Sequence, residues 1–166
     1  MIIPVDPPQD RVRELFVCVP ERGALFWRMG PRRGKLAGSP GDGLDHRYRR
    51  VWVDGRLHKV HRIIWVYVHG SAPPMLDHRD GDYANDAIWN LRECTPSQNI
   101  ANVGRRKNNK TGYKGVSWCS RDHKYTAFIR INGRSIFIGR FDDPISAHQA
   151  YMEKAVEVHG EFARAR

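Results

Sequence analysis

The chain has 166 residues, of which 40% are hydrophobic, so it has room for one modest core or two small ones and not for a large enzyme cleft. Lys and Arg number 28 against 18 Asp and Glu, and the formal charge of +10 favours a polyanionic partner, with nucleic acid as the first candidate. A basic protein that its charge merely keeps soluble is the alternative that composition leaves open.

The cysteines and the apolar segments indicate a soluble protein of a reducing compartment. Cys18, Cys94 and Cys119 lie far apart and form no Cys-x-x-Cys pair, which argues against a disulfide framework or a zinc knuckle. The N-terminus lacks a basic start followed by a long apolar core, and no stretch reaches the roughly 18 apolar residues that span a bilayer. We therefore expect a cytoplasmic protein with no membrane partner.

The N-terminal half predicts a hairpin followed by a buried helix. Asp54-Gly55 supplies the positive φ angles of a tight turn, so Tyr48 to Val53 and Arg56 to Val60 are expected to pair. The apolar residues within His61 to Val68 predict one buried helix that ends before Gly70. Before the hairpin we expect a short helix, a strand and a loop, at Arg11 to Phe16, Gly23 to Trp27 and Pro31 to Gly43.

The C-terminal half predicts a small antiparallel sheet and one helix. Residues 104–111 are polar and basic and have no apolar anchor, which is typical of an interdomain linker. Asp143-Pro144 then begins a helix with alanines at helical spacing, and Gly160 is placed to end it. The three expected strands are Gly115 to Trp118, Tyr125 to Ile131 and Ser135 to Ile138, the last two joined by Asn132-Gly133.

The segment Leu76 to Asn102 concentrates Asp, His and Asn around a predicted strand, loop, strand and helix. Asp77 and His78 are adjacent at a strand end, so their side chains diverge. Thr95-Pro96-Ser97 is a good helix start, which places Asn99 in the first helical turn, able to point back at Asp77.

These residues suit phosphodiester hydrolysis, which needs a deprotonated water and positive charge at the leaving oxygen. A neutral His with an ordinary pKa of about 6.5 takes a proton at physiological pH, so His78 is the predicted general base. Asp77 and Asn99 offer oxygen donors that suit Mg²⁺ or Mn²⁺. Since Asp, Asn and Gly also dominate ordinary turns, any one of these residues alone is more often structural.

The set His61-Arg62, Asp77-His78, Asn85, Asn90-Leu91-Arg92 and Gln98-Asn99 resembles the HNH endonucleases of phage and homing type. The resemblance spans about residues 23–102 and implies a ββα-metal (His-Me finger) core in a bacterial or phage-infected cell. By motif, His78 is the base, Asp77 and Asn99 are the metal ligands, and Asn90 is a bracing residue. His61 and Arg62 are left open between a phosphate contact and a solvated basic pair, and the other six histidines are expected to be structural or exposed.

Ten cations lie between Gly104 and Arg140 and are opposed only by Asp122. Lys114, Arg130 and Arg134 are expected to share one face of the sheet with Trp118 and to enter the major groove. Phosphate binding is the minimum expectation. The predicted DNA-binding residues are Arg105, Arg106, Lys107, Lys114, Trp118, Lys124, Arg130, Arg134 and Arg140.

Residues 111–163 resemble the plant ethylene-response-factor (APETALA) DNA-binding domain. The resemblance lies in Gly112 to Val116, Ala127 to Arg130, Gly139 to Asp142, Ala147 to Tyr151 and His159 to Ala163. Where the plant family has base-reading arginines in the first strand, this chain has Ser117 and Cys119. The resemblance implies a three-stranded antiparallel sheet packed on one helix and a module that targets double-stranded DNA.

Together these features predict an α+β protein with a nuclease domain at 1–103, a basic linker at 104–111 and a DNA-binding domain at 112–166. The expected activity is metal-dependent hydrolysis of DNA that leaves 5′-phosphate and 3′-hydroxyl ends, as the HNH resemblance implies. Because one centre cuts one strand, a monomer or weak dimer is expected to nick. The rivals are a non-catalytic DNA-binding regulator with an HNH-like fold and a protein that binds RNA through Trp118 and Tyr125.

Overall fold

The computed structural model describes residues 5–40, 47–105 and 108–165. It forms two compact units, Met1–Glu93 and Cys94–Arg166. The boundary lies earlier than the linker predicted at 104–111, because the helix after Thr95 packs against the strands and helix that follow it. That helix supplies the second unit with the buried Ala101 and Asn102.

The first unit consists of short strand pairs around a buried helix. Its helices and strands are, in chain order, α1 (Gln9–Leu15), β1 (Phe16–Val19), β2 (Ala24–Trp27), β3 (Ser39–Pro40), β4 (Arg49–Val53), β5 (Arg56–Lys59), α2 (Val60–His69), β6 (Leu76–His78) and β7 (Leu91–Glu93). The pairs β1–β2, β3–β4, β4–β5 and β6–β7 are all antiparallel. The predicted short helix is confirmed as α1, the strand predicted at Gly23 to Trp27 as β2, and the predicted buried helix as α2.

The predicted hairpin is confirmed, and its two strands pack against the buried helix α2. Asp54 and Gly55 both have positive φ angles, 46° and 74°, which a two-residue hairpin turn requires. α2 directly follows the hairpin, contacts both of its strands and is buried along most of its length, because its apolar residues Val60, Ile63, Ile64 and Val66 belong to the core. The core comprises Val12, Phe16, Leu25, Ala37, Val51, Val53, Val60, Ile63, Ile64 and Val66.

The second unit begins with α3 (Pro96–Asn102) and continues with β8 (Val116–Cys119), β9 (Lys124–Ile131), β10 (Arg134–Phe141) and α4 (Pro144–His159). The strands form an antiparallel sheet in the order β10-β9-β8. α4 contributes Ala147, Tyr151 and Ala155 to one core with Val116, Ala127 and Ile129 of the sheet. Small side chains on α4 allow it to pack closely on the strands.

The predicted start of α3 is confirmed in detail. The Thr95 hydroxyl accepts a hydrogen bond from the Gln98 amide, and the Gln98 side chain accepts one from the Thr95 amide. This reciprocal capping box satisfies backbone donors that the first helical turn leaves open. It fixes where α3 begins, and thereby places Asn99 within the first turn.

A mixed helix and strand protein with small sheets is therefore confirmed, whereas completion of a ββα-metal core by α3 stays a prediction. Within the described ranges, no helix combines the length and the apolar character needed to cross a membrane.

Candidate active site

His78 lies at the end of β6 and is buried, with a relative exposure of 2%. The pairing of His78 with Leu91 and of Asp77 with Arg92 places these two neighbours on opposite faces of the β6–β7 ribbon. Nε2 of His78 lies 3.1 Å from Oδ1 of Asp86, so the imidazole and the carboxylate form a buried hydrogen-bonded pair. Such a pair fixes the orientation of the ring.

The Asp86 carboxylate is shared between the histidine and an arginine. Its Oδ2 accepts hydrogen bonds from Nε of Arg49 at 2.9 Å and from the Arg49 Nη2 at 2.7 Å. Arg49 belongs to β4 and also donates to the carbonyl of Gly23. A buried carboxylate needs both a counter-charge and hydrogen bonds. Arg49 supplies both and leaves Oδ1 directed at His78.

His61, in the first turn of α2, completes the cluster. Its Nδ1 lies 4.0 Å from Oδ1 of Asp86, and its ring packs edge-to-face on His78 with the centroids 5.0 Å apart. Within the described part of the chain this Nδ1 has no hydrogen-bond partner. Burial holds the pKa of His61 well below its usual value, and the nearby His78 and Lys59 act in the same direction. His61 is therefore neutral at physiological pH.

Two half-buried tyrosines line the same cluster. The Tyr48 ring lies 5.3 Å from that of His61 and 6.1 Å from that of His78, and Tyr83 lies 6.1 Å from His78, between ring centroids. The Lys59 ammonium lies 3.9 Å from the centre of the Tyr48 ring. Lys59 thus brings a cation, the kind of group that contacts phosphate oxygens, next to the aromatic residues of the cluster.

Asn90 is fully buried and holds together the loop between β6 and β7. Its amide nitrogen donates to Oδ1 of Asp80 at 2.9 Å and to the carbonyl of Asn85 at 2.8 Å, while its Oδ1 accepts from the Asp80 amide. Burial raises the pKa of Asp80, but hydrogen bonds from Asn85, the Asp82 amide and Asn90 outweigh it and leave that pKa below its usual value. The loop that leads to Asp86 is thus braced from within.

The structure does not bring Asp77 into the His78 cluster. Asp77 is buried, and its Oδ2 accepts from Nε of Arg92 at 3.0 Å and lies 2.9 Å from the Arg92 Nη2. Asn99 lies in the second unit, in the first turn of α3. That Asp77 and Asn99 jointly hold a metal stays a prediction.

Three donors that could hold a metal do converge within the first unit. One ligand atom each from His61, His78 and Asp86 lies within 4.8 Å of the other two, and all three residues are buried. The sequence singled out His78 as the base and left His61, with Arg62, open between a phosphate contact and a solvated basic pair. The solvated pair is wrong, because both side chains are buried. The sequence signal for a buried His61 is its spacing of three residues from Ile64, which lies in the core. No local signal marks Asp86, since its partner Arg49 is 37 residues away.

The cations predicted to bind DNA do not share one face of the sheet. Directly paired residues of neighbouring strands lie on the same face. Trp118 pairs with Tyr125, and Arg134 pairs with Ile131, on the side that packs against α4. Arg130 lies on the opposite face. The prediction of a common face is therefore wrong, because alternation along each strand separates these side chains.

The face away from α4 carries an aromatic pair and arginines. The Phe128 and Phe137 rings are exposed and lie 5.3 Å apart, and the Arg140 guanidinium lies 5.7 Å from the Phe137 ring. Arg140 also pairs with Asp122 at 3.1 Å. This surface, which we call the open face, consists of Ser117, Thr126, Phe128, Arg130, Phe137 and Arg140.

The other predicted DNA contacts have varied surroundings. The Lys114 ammonium donates to the carbonyls of Ala101 and Arg164, and burial lowers its pKa to about 8. Lys124 pairs with Asp142. Arg105 is exposed and donates to the Asn109 carbonyl. Arg106 and Lys107 lie outside the described residues.

Comparison with known proteins identifies the class of the site. Residues 58–101 match the model of the HNH endonuclease family, and this segment contains His61, His78, Asp86 and Asn90. The chain is also 32% identical over 108 residues to Protein 3.8 of Escherichia phage T7, a stretch that covers 64% of this chain and 88% of that protein. The chain therefore belongs to the family of Protein 3.8 and has an HNH endonuclease domain. No solved structure matches it.

Proposed function

We propose that the protein is a metal-dependent DNA endonuclease that hydrolyses one phosphodiester bond per visit. The observation that supports this most directly is the buried His78–Asp86 pair within the HNH segment. An imidazole held by a carboxylate is suited to accept a proton from water near neutral pH. The net charge of +10 suits a nucleic-acid substrate.

His78 acts as the general base. When it accepts a proton from the attacking water, Asp86 stabilises the imidazolium that forms, and Arg49 keeps the carboxylate in position. Asn90 has a bracing role, because its hydrogen bonds shape the loop that presents Asp86.

Asp77 and Asn99 are the proposed ligands of a catalytic Mg²⁺ or Mn²⁺. Their donor chemistry fits, since both side chains offer oxygen atoms, the ligands that these ions prefer. Arg92, which holds Asp77, adds a further cation on that side of the ribbon. A bound divalent ion would supply positive charge for the leaving oxygen.

The second unit is proposed to direct cleavage to double-stranded DNA. The resemblance to the ethylene-response-factor domain supports this role, and the open face combines exposed aromatic rings with Arg130 and Arg140. Arginines there suit phosphate and base-edge contacts, while the rings add apolar contact.

The test is incubation of the purified chain with supercoiled plasmid and Mg²⁺ or Mn²⁺, with and without EDTA. We expect nicked circles that form only with the metal and that a duplex competitor suppresses better than single-stranded RNA. Tight duplex binding without nicking in either metal would instead identify a non-catalytic DNA-binding protein.

A further inference from the structure

We propose that His61, His78 and Asp86 form a binding site for a borderline transition-metal ion of the Zn²⁺ class, separate from the oxygen-donor site of Asp77 and Asn99. We further propose that an ion bound there inhibits cleavage because it engages His78. The inhibition rests on the proposed nuclease function, whereas the binding site does not.

The donor chemistry of the cluster distinguishes it from a magnesium site. Two imidazole nitrogens and one carboxylate oxygen suit Zn²⁺, Co²⁺ or Ni²⁺, whereas Mg²⁺ prefers oxygen ligands and keeps several waters. The three ligand atoms come from a helix, a strand end and a braced loop, so they are held by separate elements of one compact unit.

The spacing of the donors is close to that of a coordination sphere. A tetrahedral ion with bonds of roughly 2.0 Å separates its ligand atoms by roughly 3.3 Å. Oδ1 of Asp86 lies 3.1 Å from Nε2 of His78 and 4.0 Å from Nδ1 of His61, and all three donors lie within 4.8 Å of one another. Small side-chain movements would therefore bring them to a common ion.

His61 provides the observation that points to a ligand. Only 4% of the residue is exposed, its Nδ1 faces the Asp86 carboxylate, and that nitrogen has no hydrogen-bond partner among the described residues. Buried polar atoms in native proteins are normally satisfied. A metal ion between His61 and Asp86 would satisfy this nitrogen.

The surrounding bonds are compatible with coordination. Arg49 occupies Oδ2 of Asp86, so Oδ1 remains the oxygen directed at both histidines. When the ion binds, Nε2 of His78 must carry no proton: a neutral imidazole then has its one proton on Nδ1, and an imidazolium releases its Nε2 proton to solvent. The hydrogen bond from His78 to Asp86 is then replaced by two bonds to the same ion.

Cobalt titration of the full chain tests the site, because tetrahedral Co²⁺ bound to nitrogen and oxygen has intense visible absorption bands. We expect these bands in the wild type, with displacement by Zn²⁺. In His61→Phe, which keeps a ring against Tyr48 but no donor, affinity should fall more than about 10-fold. His61→Asn should behave like His61→Phe. The matched control is His69→Phe on the exposed part of the same helix.

Absence of the bands in the wild type, or bands of wild-type affinity in a folded His61 variant, would overturn the proposal. If both His61 variants fail to fold, imidazole ¹⁵N spectra of the wild type with Zn²⁺ decide the matter. The resonances of His61 and His78 must shift and those of His69 must not; any other pattern rejects the site.

The activity arm separates the two proposals. Zn²⁺ added to a reaction in Mg²⁺ should slow nicking by the wild type, and a chelator selective for Zn²⁺ should restore it. Cobalt bands without nicking in any metal would leave the binding site standing and reject the nuclease. Nicking that Zn²⁺ does not slow would reject the inhibition, and nicking without cobalt bands would reject the site alone.

Discussion

Asp86 links the N-terminal strands to the chemistry proposed for His78. Its two oxygens have different partners, Arg49 on Oδ2 and His78 on Oδ1. Arg49 lies in β4, outside the segment that matches the HNH family. The positioning of His78 therefore depends on a residue that the matched segment does not contain.

Replacement of Arg49 should affect catalysis through Asp86. In Arg49→Gln we expect the nicking rate to fall roughly 10-fold to 100-fold, as is typical when a partner of a functional side chain is removed. Arg56→Gln, an exposed change on β5, is the control. An unchanged nicking rate in Arg49→Gln would contradict this role.

Lys114 should make stability depend on alkaline pH. Its folded pKa of about 8 lies below the ordinary value of 10.5, so between these values the unfolded chain binds a proton that the folded chain does not. Burial of the charged Lys114 destabilises the folded chain, and this destabilisation is fully present below about pH 8. The free energy of unfolding therefore rises as the pH increases from about 8 to about 10.5. Urea midpoints should show a smaller alkaline rise in Lys114→Gln than in the wild type; equal rises would contradict this assignment.

Among the secondary-structure elements, the turn between β1 and β2 supports the Asp86 segment. Gly23 has a φ of 60°, and a Cβ atom there would come within 2.5 Å of the backbone of both Asp86 and Ala87. The Gly23 carbonyl also accepts from Arg49. Only glycine allows the turn to approach this closely.

A methyl group at position 23 should displace the Asp86 segment. We expect Gly23→Ala to reduce the free energy of unfolding by roughly 1–3 kcal/mol and to slow nicking. Gly55→Ala is the matched control, because Gly55 also has a positive φ but no atom near its absent Cβ. Chemical denaturation and nicking assays measure both effects. A Gly23→Ala protein no less stable and no less active than Gly55→Ala would show that the close approach is unimportant.

Local signals predicted the elements well. Asp54-Gly55 and Asn132-Gly133 form the expected hairpin turns with positive φ angles, and Thr95 caps α3. The strand β10 is longer than expected, Arg134–Phe141, because it continues past an irregularity after Phe137 that sequence alternation does not reveal. The unit boundary differed because the packing of α3 is a long-range property.

At the scale of the whole molecule, the net charge of +10 does not show which cations are accessible to a partner, because some are buried and others exposed. Lys114 is held by backbone carbonyls, whereas Arg130 on the open face is exposed and its Nε donates to a turn carbonyl, that of Gly133. A count of cations along the chain could not distinguish a buried lysine from an exposed arginine. The contacts of each side chain decide which cations can meet a phosphate.

DNA affinity should follow the open face. We expect Arg130→Gln to weaken duplex binding and to reduce the slope of log affinity against log salt by about 1, since one phosphate contact is lost. Lys114→Gln should change the slope less. Fluorescence anisotropy over a range of salt concentrations measures both. A larger effect from Lys114 than from Arg130 would contradict the assignment of the open face.

The candidate site was predicted only where its residues are close in sequence. His78 and Asn90 stand out in the segment 76–102, but Arg49 and His61 approach Asp86 through the packing of β4 and α2. Asp77 was predicted to bind a metal, and the sequence did not indicate its buried ion pair with Arg92. That pair forms because the register of β6 and β7 places the two residues opposite each other. Contacts of this kind follow from the folded core and not from local composition.

The central claim is that His78 performs proton transfer in metal-dependent cleavage of DNA. The most direct test is the nicking rate of His78→Ala in saturating Mg²⁺ or Mn²⁺, with folding verified by circular dichroism and with His69→Ala as the control. We expect His78→Ala to lose at least about 100-fold in rate while it still binds duplex DNA, and His69→Ala to resemble the wild type. A folded His78→Ala protein that nicks at the wild-type rate would contradict the account.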